Sequence, residues 1–147
     1  MSGTNHAITG AAIASVIGQP VLAIPIAFAS HFLLDSLPHF GEDIHPLSSF
    51  TKKVWMIDFV LLSSFLLLLI ITSNWLLLAG AVAAISPDFA WIYRFVFKEK
   101  RGKLKPPKMN KFNNFHSSIQ KYETKYGIIV EIFWFIFVSG ILYSQTL

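Results

Sequence analysis

His31-Phe-Leu-Leu-Asp35 sets an imidazole and a carboxylate four residues apart, so on a helix they are neighbours able to share one metal ion. His39 follows Pro38, and a continuous helix would carry it about 12 Å along the axis from His31. Because the residue before a proline disfavours helical geometry, the helix should end there and let His39 fold back toward the same ion; otherwise it could serve a second ion. Elsewhere the chain offers His6, Asp88 and His116, and these six residues are the candidate ligands of a divalent metal. Their mixed nitrogen and oxygen donors suit zinc, with manganese second. Two further acids, Asp58 and Glu131, are candidates for a general base beside the ion. Taken singly, each of these residues has a structural reading, such as a cap, an interfacial charge or an ion pair. The chain has no cysteine, which excludes disulfides, thiolate catalysis and thiolate-ligated metal.

The elements that must position these groups are apolar. Of 147 residues 54% are hydrophobic and 14% charged, against about 25% charged in an ordinary soluble domain. A soluble domain of this size has too much surface to hide that much apolar side chain. The composition therefore predicts an all-α, polytopic integral membrane protein, a single domain over 1–147 with an N-terminal helical hairpin and three transmembrane helices. A span needs about 20 mostly apolar residues. Val54–Thr72 and Trp75–Phe97 meet that and form a tight hairpin over Ser73 and Asn74, and Tyr126–Tyr143 supplies the third span. Residues 1–40 read as arms His6–Ile17 and Val21–Leu37 turning at Gly18–Pro20, because proline suits a helix start. Ala27-Phe28-Ala29 resembles a signal-cleavage site, but Met1–Asn5 lacks the basic residues that a signal peptide carries.

Loops are expected at 41–53 and 98–125. Ten of the twelve basic residues lie between Arg94 and Lys125, and the other two are Lys52 and Lys53. The positive-inside rule places both loops and the N-terminus in the cytoplasm and the C-terminus outside. On that topology His6, His31, Asp35, Asp88, His116 and Glu131 all reach one membrane face. Small residues precede them at helical spacing: Gly10 and Ala14 after His6, Ala23 and Ala27 before His31, Gly80 and Ala84 before Asp88, Gly127 before Glu131. Such stripes let helices approach closely, which puts the polar groups on packing faces rather than toward lipid. The basic, Pro106-Pro107-containing stretch Lys98–Lys111 fits attraction to anionic lipid head groups. Without an aromatic platform around it, no nucleic-acid partner is expected.

Asn5-His6 with Thr9-Gly10, Ser30-His-Phe-Leu-Leu-Asp35 with Pro38-His39, Ser86-Pro-Asp88 and Phe115-His116-Ser117 together resemble the predicted membrane-bound metal-dependent hydrolases, a family of small helical membrane proteins. The His-x-x-x-Asp element is also similar to the metal helix of zinc-dependent phospholipase C and the single-strand nucleases. The resemblance implies that His31 and Asp35 are zinc ligands, with His39 a third. The chain departs from the family where Asp88 is followed by Phe89, Ala90 and Trp91, without the family's further acid and histidine. The expected activity is metal-dependent hydrolysis of a phosphoester or lipid head group at the cytoplasmic interface. A metal-binding structural or partner-binding membrane protein is the first alternative, and a small metal or ion transporter subunit the second. The outer halves of the spans, such as Phe65–Ile71, carry no polar route and count against transport.

Overall fold

The computed structural model describes residues 1–41, 48–90 and 111–145, with Asn113 described by its backbone alone. The sequence readings that fall on Arg94, on part of the 41–53 loop and on most of the basic stretch lie outside the described residues. Among those described, all regular structure is helical: α1 (Gly3–Ile17), α2 (Pro20–Asp35), α3 (Ser49–Ile71), α4 (Trp75–Ile85), a single 3-10 turn (Ser86–Asp88), α5 (Lys111–Ile119), a second 3-10 turn (Lys125–Gly127) and α6 (Ile128–Ser144).

Helix α1 is the axis of the bundle, with α2, α3, α4 and α6 all packed on it. Ala7, Ala11 and Ala14 are fully enclosed, as are Ala23 and Ala27 of α2 and Ala81 and Ala84 of α4. The tightest crossing is α1 on α4. A Cβ on Gly10 would strike the backbone of Gly80, and one on Gly80 would strike Gly10. The small-residue stripes thus meet face to face, as their spacing predicts.

The turns follow from local chemistry. Gly18 closes α1 with φ 68°, the left-handed geometry that glycine adopts without a Cβ penalty, and its N–H donates to the Ala14 carbonyl at 3.0 Å. Pro20 opens α2 at a position whose N–H has no partner in any helix. Pro25 lies inside α2 without ending it. Ser73, with φ 55°, turns α3 into α4.

The helices differ from the expected spans in three ways. Two of them, Ser49–Ile71 and Lys125–Ser144 with its leading 3-10 turn, are long and apolar enough to cross a membrane. Within the expected span Trp75–Phe97, α4 stops at Ile85 and Pro87 enters a 3-10 turn, and residues 91–97 lie outside the described residues. Pro87 has no N–H for the Ala83 carbonyl, and the Ser86 hydroxyl donates to that carbonyl instead, at 2.8 Å. Residues 98–125, expected to be loop throughout, end in α5 and in an extended pairing of His39 with Glu123.

The outer surface is apolar. Met56, Phe59 and Ile71 of α3 are 65%, 66% and 70% exposed, and Phe133 of α6 is 75% exposed. A folded chain that leaves a contiguous face of this kind uncovered marks an interaction surface for lipid or protein.

Candidate metal centre

Three helix ends and one short helix meet at a single pole. The C-terminus of α2 brings His31 and Asp35, the 3-10 turn after α4 brings Asp88, α5 brings His116 and the start of α1 brings His6. One nitrogen or oxygen from each of His31, Asp35, Asp88 and His116 lies within 4.8 Å of all the others, a group that could hold a metal ion. His31 Nε2 stands 3.0 Å from His116 Nε2, 3.2 Å from Asp35 Oδ2 and 3.6 Å from Asp88 Oδ1, and His116 Nε2 is 2.8 Å from Asp35 Oδ2. Donors bound at 2.0–2.1 Å to one tetrahedral ion would stand about 3.3 Å apart. The observed edges scatter around that value.

Proton accounting sharpens the geometry. His31 Nδ1 is 2.8 Å from the carbonyl of Ala84, an oxygen that can only accept, so Nδ1 carries the hydrogen. In a neutral ring, Nε2 is then a bare lone pair, and it points at two carboxylate oxygens and another imidazole nitrogen. Lone pairs converging in a buried place repel unless a cation lies among them. One proton serves one or two of these contacts, whereas a divalent ion serves all four and offsets both carboxylate charges. The Ala84 carbonyl also fixes the ring, the usual role of the partner of a ligating histidine.

Asp35 is the hub. Its Oδ2 accepts from Gln120 Nε2 at 3.1 Å besides facing His31 and His116, and its Oδ1 lies 3.0 Å from His6 Nε2 and 2.5 Å from the Met1 ammonium. His31, Asp35, His116 and His6 are sealed from solvent, while Asp88 keeps 32% of its side chain exposed. The quartet therefore has one accessible edge.

Two of the candidate ligands sit outside the quartet. His6 belongs to the cluster but outside the quartet: it stacks on His31 with centroids 4.0 Å apart and holds the far oxygen of Asp35. His39 does not fold back to the ion. The chain after α2 runs extended, His39 pairs with the 122–124 segment through its backbone, and its ring lies against the Leu37 carbonyl at 2.8 Å and Glu123 at 3.5 Å. A Cβ on Gly127 would strike the His39 backbone, so this glycine serves that crossing.

Asp58 and Glu131, expected as free bases, are occupied at the start of α1. Asp58 accepts from the N–H groups of Gly3 and Thr4, each at 3.0 Å. Glu131 accepts from Ser2 N–H at 3.0 and 3.1 Å, from Phe40 N–H at 3.1 Å and from the Asn5 side-chain amide at 3.2 Å. The first N–H groups of a helix have no intrahelical partner and carry the positive end of its dipole, which draws carboxylates.

Sequence reasoning missed Gln120 and the Ala84 carbonyl. Gln120 follows His116 by four, the spacing that drew attention to His31 and Asp35, and that repeat was the available signal. A backbone carbonyl leaves no trace in residue type. The chain matches no protein-family model, no curated protein and no solved structure.

Proposed function

We propose that this chain is a polytopic helical membrane protein that hydrolyses a phosphoester at the cytoplasmic interface, using a zinc ion that His31, Asp35 and His116 would hold, with Asp88 at the open edge of the site. The observation that carries the reading is the convergence of His31 Nε2 on Asp35 Oδ2, Asp88 Oδ1 and His116 Nε2. The resemblance of the His-x-x-x-Asp, Pro-Asp and Phe-His-Ser motifs to membrane-bound metal-dependent hydrolases points the same way. The membrane assignment rests on two span-length helices and on exposed apolar faces along α3 and α6. The basic residues of the 98–125 segment support the cytoplasmic orientation.

A divalent ion at this pole would supply a Lewis acid and make hydroxide available near neutral pH. His31 and His116 would offer it imidazole nitrogens, Asp35 faces both rings, and His6 and Gln120 keep the Asp35 carboxylate in place. Asp88, at the accessible edge, is the group placed to move a proton. Water forms the new P–O bond, the ester P–O bond breaks, and the water's proton passes by way of Asp88 to the departing alkoxide, giving an alcohol and a phosphate. Asp58 and Glu131, held by backbone N–H groups, keep α1 aimed at the cluster instead.

Turnover of p-nitrophenyl phosphate by zinc-loaded protein in detergent tests the reading. Activity should vanish with chelator and fall by about 10² or more in Asp88→Asn, the range of a lost general base. Zinc-loaded, folded protein that turns over no phosphoester would leave a metal-binding structural protein in its place.

A further inference from the structure

A groove of about 410 Å³ opens beside the metal quartet, between the first half of α3 and the end of α4. Its volume lies in the range of small-molecule sites. One wall is the stripe Trp55, Phe59 and Leu62 of α3, and the other is Ile85, Asp88 and Phe89. Of the quartet, only Asp88 lines it. The other acids on its walls, Asp58 and Glu131, hold the N–H groups at the start of α1, so their charge is committed. Trp55 and Phe59 are 49% and 66% exposed, which joins the groove to the apolar outer face of α3.

One end of this groove is therefore a cation site and the rest is aromatic and aliphatic, continuous with the surface that faces lipid in the reading above. A small soluble phosphoester would use the cation end and leave the α3 stripe uncovered. An amphiphile uses both, and it reaches the site sideways from the bilayer without leaving apolar surroundings. We propose that the groove binds a single-chain lipid with a terminal phosphate, the phosphate on the ion beside Asp88 and the chain along Trp55, Phe59 and Leu62. This rests on the phosphoesterase reading and names its substrate class.

The test uses the full chain, zinc-loaded, in phosphatidylcholine nanodiscs. The probe is dodecyl phosphate with a diazirine at the chain end, and the control is the same chain on trimethylammonium. After irradiation, adducts are mapped by mass spectrometry. The phosphate probe should label the Trp55–Leu62 stripe over the exposed Phe133 of α6 by about tenfold, the ratio that 1.4 kcal/mol of selective binding gives. That preference should disappear with the ammonium probe and in His31→Ala. Equal labelling of the stripe and of Phe133 would overturn the proposal, since the groove would then be ordinary lipid-facing surface. Metal content and p-nitrophenyl phosphate turnover are read on the same sample. Equal labelling with metal and turnover intact removes the lipid substrate alone, while loss of both metal and turnover in wild type removes the phosphoesterase reading and this one with it.

Discussion

At one pole of the bundle Asp35 gathers five polar partners within 3.2 Å, whereas midway along α1 the backbones of Gly10 and Gly80 meet with side chains reduced to hydrogen. The pole is held by charge and directed hydrogen bonds, and the crossing by contact alone. On the membrane reading proposed above, apolar side chains would gain little from burial against one another, and close backbone approach would take the place of a hydrophobic core. Polar groups are concentrated where helix ends already expose N–H and carbonyl groups. The difference predicts that metal uptake depends on the pole and not on the crossing.

The largest expected effect is at the pole. Asp35→Ala removes the carboxylate that faces His6, His31, His116 and Gln120, and breaking a buried charge network from one side costs about 3–5 kcal/mol. Unfolding of metal-free protein in mixed micelles should show that loss. At the crossing, Gly10→Val forces a side chain onto the Gly80 backbone and should cost about 2–3 kcal/mol, while the protein that still folds keeps its metal. Metal loss in folded Gly10→Val would break the separation of the two regions.

Asp58→Asn sharpens the comparison from a third position. If Asp58 caps α1, the variant loses about 1 kcal/mol of stability and keeps its turnover of p-nitrophenyl phosphate. A folded, metal-loaded and inactive Asp58→Asn would instead restore Asp58 as the base. The smallest effect is at the apolar pole, where Ser73 sits at φ 55°. Ser73→Gly relieves that geometry and should raise stability by about 0.5 kcal/mol, with metal content unchanged.

Much of this arrangement is legible in the sequence. The four-residue spacings in α1, α2 and α4 announce both the glycine–alanine crossing and the approach of His6, His31, Asp35 and Asp88, because helical periodicity converts spacing directly into a face. His116 was identifiable only as a histidine in the loop expected on the same face. What stayed hidden depends on tertiary contact. Asp58 and Glu131 look like costly intramembrane acids until the start of α1 is seen to supply their hydrogen bonds. His39 looks like a ligand until the chain after Pro38 is seen to pair with the segment around Glu123. The break at Pro87 was written in the sequence, but the apolar run through it reads as one continuous span.

Metal stoichiometry by mass spectrometry, on detergent-purified wild type beside His31→Ala and Asp35→Ala, tests the centre most directly. Each sample is incubated with zinc or manganese, freed of excess ion and checked for helix content. Wild type should carry a stoichiometric ion and release it on acidification as its donors take up protons, and both variants should be empty while still helical. Helical wild type that takes up neither metal would contradict the centre and leave the pole as a hydrogen-bonded network joining the helix ends.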